Sequence, residues 1–543
     1  MSGAVDTGDP TQEDAPRPSA GGTYRTLDEQ QGRLSPAEER FERRRRTIGL
    51  FLGPLLFVLV LALPLDLEPE QHRLAAVLIF VITYWVSEAI PIPVSALLGL
   101  ALVVIINAAP PPEEGDTTAD VVFGAFASST IFLFIGGFII AHAMMVHGLA
   151  RRFAFRVLAL PGVGRSTYRT IIAFGAIAAL LSAFISNTAA TAMLFPIALG
   201  VAATLSGFVA DRSEKDVDPD RLRFGTALML MTAYAASVGG LLTPIGSPPN
   251  LIGREFIEEE TDTTISFFEW VVTAAPIVLA MFLALCVILI ALNRPEARHL
   301  EGAEEFIAQE RGQLGPLSRG ERNTLVAFGV AVTLWILPGA VGLVLGDDAD
   351  LYQDLLQRLD EGVVAIAAAS LLFLLPVDWA RRKFTLNWNE AVNIDWGTII
   401  LFGSGIALGT LLSSTGLAKV MGDSLADALG VSNLLSITII AVVIAVLISE
   451  TTSNTASVAI VVPIVIPIAA AAGVDPLIPA LAAVFGASYG FMLPVSTPPN
   501  AIVYGSGMIP ITKMIRSGVV FDVLGAILIT FGVTVMANVV GLV

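Results

Sequence analysis

Charge and cysteine are both scarce in this sequence. Only 15% of its 543 residues are charged, 55% are hydrophobic, and the mean hydropathy is +0.75. So little polar surface cannot cover a folded chain of this length in water, which excludes an ordinary soluble enzyme. Acidic residues outnumber basic ones by 48 to 31 for a net charge of −17, and lysine is confined to Lys215, Lys383, Lys419 and Lys513. Nucleic acid is therefore excluded as a partner. The one cysteine, Cys286, lies in an apolar run, so neither an intramolecular disulfide nor a thiolate metal site can form. His142 and His147 are five apart and do not share a helix face, which makes them packing residues rather than metal ligands. No nucleophile–base pair or phosphate-binding loop stands out, and the chain does not read as an enzyme.

What the sequence has instead is a succession of apolar runs, each about the 20 residues that a bilayer-spanning helix needs. This is the pattern of a multi-pass protein of the cell membrane, with the bilayer as its solvent. Residues 1–46 are rich in Asp, Glu, Gly, Pro, Ser and Arg and read as a disordered tail. The tail ends in Arg43, Arg44, Arg45 and Arg46, directly before a first membrane span at 47–66, which places the N-terminus in the cytoplasm. The loop at 148–169, with Arg151, Arg152, Arg156, Arg165 and Arg169, and the later Arg381, Arg382 and Lys383 fall on the cytoplasmic side of the same count. Glu258, Glu259, Glu260, Asp347, Asp348 and Asp350 fall outside.

The chain repeats itself. Ser186-Asn187-Thr188-Ala189, with Pro196 and Ile197 following, recurs as Ser453-Asn454-Thr455-Ala456 with Pro463 and Ile464 at the same offset. Each copy interrupts a long apolar stretch, at 170–208 and at 434–472, and each is followed by a second shared motif. That motif is Pro244-Ile245-Gly246-Ser247-Pro248-Pro249-Asn250 in the first half and Pro494-Val495-Ser496-Thr497-Pro498-Pro499-Asn500 in the second. Segment order predicts a first repeat over 70–295, a charged cytoplasmic linker at 296–322 and a second repeat over 323–543. The repeats start on opposite sides of the membrane and are thus inverted, as in many secondary transporters whose site lies at the repeat interface. Crossing parity leaves open whether 170–208 is a re-entrant hairpin or two full spans, and the polar triplet at its tip favours re-entry.

Lipid offers no hydrogen bonds, so a Pro-Pro-Asn break inside an apolar helix must be buried in protein or line a polar cavity. Proline lacks an N–H and clashes one turn back, which frees carbonyl oxygens suited to a hard cation such as sodium. The Ser-Asn-Thr turns supply the complement, because a helix starting there presents unpaired N–H groups and a positive dipole end to an anion. Two such turns can hold the two ends of a dianion. No lysine or arginine lies within either motif, so bound sodium is expected to provide the neutralising charge. A lone Ser-Asn-Thr is more often a surface helix cap, but the paired copies make that bland explanation improbable. Two carboxylates sit in or beside apolar segments, where they are costly. Glu88, before Pro91, is placed at an interface; Glu450, three residues before Ser453, suits either a polar cavity or a satisfied structural role.

With these residues in view, the chain resembles the divalent anion/sodium symporter family over about residues 47–543. The likeness rests on the two motif pairs, on Tyr84-Trp85-Val86-Ser87-Glu88-Ala89-Ile90-Pro91-Ile92-Pro93, and on the segment from Ala487 through Val503. The resemblance implies an all-α polytopic fold of inverted repeats, about eleven transmembrane helices plus two re-entrant hairpins. It also implies scaffold and transport domains in a homodimeric elevator. Carried over, a first sodium site would use Ser182, Ser186, Asn187 and Gly246, and a second Ser449, Thr452, Asn454 and Ser496. Substrate would meet Ser186, Asn187, Thr188, Ser453, Asn454 and Thr455, with Ser247, Thr497 and Pro498 beside them. The expected activity is sodium-coupled import of C4-dicarboxylates such as succinate, malate or fumarate. The alternatives are a sodium-independent dicarboxylate exchanger and a sodium-coupled citrate or sulfate transporter.

Overall fold

The computed structural model describes residues 36–543 except 113–114, 213–221, 262, 300–301, 347, 431–432 and 543. Most of the expected tail, 1–35, lies outside the described residues. Residues 36–46 do not continue that tail, because the first helix runs Pro36–Ala62 and extends the apolar span backwards by a charged stretch. Glu42 pairs with Arg45 and Arg46 along that stretch, at 2.8 and 3.7 Å, and such one-turn pairs support a helix that has left the apolar run.

The fold is helical throughout, apart from a two-stranded antiparallel ribbon, Pro376–Asp378 with Lys383–Phe384. Nine helices among the described residues are long and apolar enough to cross a membrane. Fewer qualify than the expected crossings because several spans are broken or short. Arg223–Gly239 and Leu477–Ala487 stop at the proline motifs, and Ile92–Ile105 and Glu361–Leu374 have 14 residues each. Four short helices, Leu149–Leu158, Ala303–Gln313, Asp350–Arg358 and Leu417–Leu429, were not expected. Their lengths fall below what an apolar-run count detects. The expected linker is therefore partly structured: its helix Ala303–Gln313 packs on Leu149–Leu158 and on the second leg of the first hairpin. Glu321 at its end takes two bonds from the buried Arg152, at 2.5 and 3.0 Å, so part of the basic loop is neutralised inside the protein.

The two halves match element by element. A helical hairpin, Thr167–Ser182 then Asn187–Arg212, is followed by Arg223–Gly239, a break, Pro248–Thr261 and Phe267–Leu292. In the second half the hairpin is Leu434–Thr451 then Asn454–Ala471, followed by Leu477–Ala487, a break, Pro498–Tyr504 and Ile511–Val540. The packing is reciprocal across the halves. Pro248–Thr261 lies on Asn454–Ala471 and Leu477–Ala487, while Pro498–Tyr504 lies on Asn187–Arg212 and Arg223–Gly239. Each post-break helix thus inserts into the other half, which brings both breaks and both hairpins into one buried core.

Candidate functional site

Each hairpin turns through a Ser-Asn that caps its second leg. The Ser186 hydroxyl accepts from the Ala189 N–H at 3.2 Å, and Ser453 accepts from Ala456 at the same distance. These are N-cap bonds, which explain why serine starts a helix in the middle of an apolar stretch. The following asparagine is held from the first leg. Ser182 Oγ donates to Asn187 Oδ1 at 2.6 Å, and Ser449 Oγ reaches Asn454 Oδ1 at 2.8 Å and the Ala487 carbonyl at 2.7 Å. The same serine–asparagine pair therefore stands at both tips.

The breaks are built around the last asparagine of each Pro-Pro-Asn, a residue that the sequence reading did not single out. Asn250 Nδ2 donates to the carbonyls of Gly240 and Thr243 at 2.7 and 2.8 Å, and Asn500 Nδ2 donates to those of Gly490 and Leu493 at 2.9 and 3.1 Å. One amide thus replaces helix hydrogen bonds that the unwound segment has lost. Each Oδ1 is left buried without a donor among the described residues. The signal was present in the sequence as an amide at the same offset after both proline pairs.

Carbonyl oxygens converge at the first break. A Cβ built on Gly246 would lie 2.6 Å from the Gly240 carbonyl and 3.0 Å from those of Ser182 and Ala183. Gly240 in turn packs against Asn187, where a Cβ would come within 2.3 Å of Oδ1. Glycine is needed at both positions by close approach. Thr243 Oγ1 donates to the Ala183 carbonyl and ties the break to the hairpin. Ser182, Asn187 and Gly246 therefore meet through Gly240 and the Ser182 and Ala183 carbonyls, with Ser186 next to Asn187 in the turn, and such an oxygen-rich cluster suits a hard cation.

The second site keeps this plan but carries a carboxylate. Glu450 is 3% exposed; its Oε1 accepts from the N–H groups of Phe491 and Met492 at 2.5 and 2.8 Å, and its Oε2 accepts from Ser496 Oγ at 2.7 Å. Its role as seen here is to tie the second break to its hairpin. Asp522, 5% exposed, places its carboxyl against Glu450, and neither of its oxygens finds a donor among the described residues. Thr452 turns its hydroxyl back to the Ile448 carbonyl at 2.8 Å. Asn454 Nδ2 approaches the Ser488 carbonyl at 3.4 Å.

The remaining candidates differ in exposure. Ser186, Asn187, Thr188, Ser453, Asn454 and Pro498 are half-buried, while Ser247, Thr455 and Thr497 are buried. Thr497 caps the helix Pro498–Tyr504 by accepting from the Asn500 N–H at 3.3 Å. His147 bonds the Thr385 carbonyl at 2.7 Å, and no cluster of three or more metal-ligating side chains occurs among the described residues. One cation does reach a tip: Arg45 of the first helix donates from Nη1 to the Thr451 carbonyl at 2.8 Å. Sequence distance hid it, since 406 residues separate the two.

Two mirrored hairpins and two broken helices packed together, among nine described helices long and apolar enough to cross a membrane, are the plan of a multi-pass membrane transporter. The chain belongs to the family described as the sodium:sulfate symporter transmembrane region, whose model matches residues 46–543. It is 33% identical over 487 residues to the sodium-dependent dicarboxylate transporter SdcS of Staphylococcus saprophyticus, covering 89% of each chain. The protein of the same name from Staphylococcus aureus strain USA300 is 32% identical over the same length. Among solved structures, the YdaH transporter of Alcanivorax borkumensis matches with a TM-score of 0.53 at 14% identity, over 87% of this chain and 98% of that one. MtrF of Neisseria gonorrhoeae gives 0.51 at 14%, over 85% and 96%. These two share the fold.

Proposed function

We propose that the chain imports C4-dicarboxylates such as succinate, malate or fumarate together with sodium, by moving the two hairpins and broken helices as a transport domain against the remaining helices. The observation that carries this reading is the duplicated serine–asparagine pair, with three carbonyls gathered at Gly246 in the first copy. The names of the relatives, sodium-dependent dicarboxylate transporters, point the same way. Sodium at Ser182, Ser186, Asn187 and Gly246, and at Ser449, Thr452, Asn454 and Ser496, supplies the positive field that the motifs lack. The two helix starts, at Asn187-Thr188 and Asn454-Thr455, then face the two carboxylates, flanked by Ser247, Thr497 and Pro498.

The test is radiolabelled succinate uptake into proteoliposomes under an inward sodium gradient, with choline as the control. Uptake is expected to collapse in choline, and undiminished uptake there would overturn the coupling. Asn187→Ala and Asn454→Ala should each lower uptake and its sodium dependence by about a hundredfold, since a ligand shared by ion and substrate sites is lost. Arg45 is the one observation that favours the exchanger alternative, because an exchanger replaces an ion by a cationic side chain. Its charge is already matched by Glu42 at 2.8 Å and Glu88 at 3.3 Å, so the sodium-coupled reading stands ahead.

A further inference from the structure

The first helix is fixed to its neighbour but only tethered to the second hairpin. Cβ atoms at Gly49 and Gly53 would overlap Ser87 Oγ at 1.9 Å and the Tyr84 ring at 2.4 Å, so Pro36–Ala62 lies hard against Pro69–Ser87. The Tyr84 hydroxyl donates to the Leu50 carbonyl at 3.2 Å across the same contact. At the arginine end of this platform, Glu88 adopts a left-handed backbone (φ 48°) and holds Arg45 at 3.3 Å and Arg46 at 3.7 Å. A left-handed glutamate is uncommon and costs energy, so the geometry that presents its carboxylate is maintained by the surrounding packing.

From that platform Arg45 turns Nη2 to Glu42 and Nη1 to the Thr451 carbonyl, each at 2.8 Å. Thr451 is the last residue of the leg Leu434–Thr451, where carbonyls have no helical partner and the dipole is negative. A cation there is favourable. Thr451 is also exposed, and it directly precedes Thr452-Ser453-Asn454. Where the partner helix Pro69–Ser87 faces the second leg of the hairpin, packing is loose: an apolar cavity of about 240 Å³ lies between Ile82, Trp85, Leu412, Ile460 and Pro463.

We infer that Arg45 is a positioning residue that holds the tip of the second hairpin against the first helix in one arrangement of the transport cycle and must release it for the other. The inference rests on the proposed transport reading and on the arginine end of the first helix facing the cytoplasm, which makes the held arrangement the cytoplasm-facing one. A single polar bond to a backbone carbonyl suits this task. It is directional enough to define the position, and it leaves no side chain buried and unpaired on the hairpin when it breaks.

The test starts from Cys286→Ser, with Arg45→Cys and Thr451→Cys added and a reducible bifunctional thiosulfonate as cross-linker. Cross-linking is expected to form in detergent and to lower succinate uptake in proteoliposomes at least tenfold, with recovery on reduction. Failure to cross-link when both cysteines react with a monofunctional reagent, or full uptake while linked, would overturn the inference. In parallel, Arg45→Gln should lower the apparent KM for external succinate about three- to tenfold, because the outward-facing population grows, with Arg45→Lys intermediate. A purely structural arginine would lower the maximal rate and leave KM unchanged, and that result also counts against it. Absent sodium-driven uptake in the unmodified protein defeats the transport reading instead, and the cross-linking yield still judges the contact.

Discussion

The first and second sites share a backbone plan and differ in charge. In the first, Ala183 offers only its carbonyl, and Thr243 ties the break to it with one hydroxyl. In the second, the equivalent position is Glu450, which gathers two backbone N–H groups and the Ser496 hydroxyl. Leu493 stands where Thr243 does, and Ser496 stands where Gly246 does. The difference teaches that symmetry here is a property of the chain path and not of the ligands. One is a neutral nest of carbonyls and the other is organised around a buried carboxylate.

The strongest way to break this comparison is to exchange the residues at 246 and 496. Gly246→Ser drives a side chain into carbonyls that a Cβ would already meet at 2.6 Å, and sodium-driven uptake is expected to fall about a hundredfold. Ser496→Gly removes one of three donors to Glu450 and should cost about tenfold or less. Equal losses in the two uptake assays would show that the sites are equivalent after all. Next comes the tie between break and hairpin. Glu450→Ala leaves two N–H groups without an acceptor and should lower stability by about 2–4 kcal/mol, against about 1 kcal/mol for Thr243→Val. Thermal unfolding of the two variants in detergent measures that gap, and indistinguishable midpoints would remove the asymmetry.

The smallest effect concerns how the halves lean on the other helices. After the first break, Glu255 accepts from Ser128 and Thr130 at 3.0 and 2.7 Å, Glu259 accepts from Thr410 at 2.8 Å, and Glu260 accepts from Ser413. The helix after the second break ends at Tyr504 and carries no such acidic row. Burial pushes the Glu259 carboxyl up to about 7; Glu255 and Glu260 add to the rise, and the Thr410 hydroxyl opposes it. Since the folded protein then binds a proton that the unfolded chain has released, stability is gained as pH falls from about 7 towards the ordinary carboxylate range and lost on the way back up. Melting curves between those limits should show this slope, and Glu259→Gln should flatten it. A slope unchanged in the variant would assign it to another group.

Much of the site was legible because its residues are local. Ser186-Asn187 and Ser453-Asn454 announce themselves as helix caps in places where apolar helices have no reason to start, and the proline pairs mark breaks by chemistry alone. Asn250 and Asn500 were within reach of the same reasoning, since each bonds carbonyls seven and ten residues back. Arg45 was not, because its partner lies 406 residues away and is a backbone carbonyl that any residue could supply. The short helices Leu149–Leu158 and Leu417–Leu429 escaped a search for 20-residue runs for a simpler reason: they are too short to span.

By itself the sequence determined that this chain lives in a bilayer, that it is built twice, and where each copy turns and breaks. Those properties follow from solvent and from local backbone chemistry, which neighbouring residues dictate. Only the tertiary structure decided that each post-break helix crosses into the opposite half, that Glu450 is consumed by the Phe491, Met492 and Ser496 donors, and that Arg45 reaches a hairpin tip. Such pairings depend on which surfaces come together in space, and apolar periodicity is silent about which of many similar helices will meet.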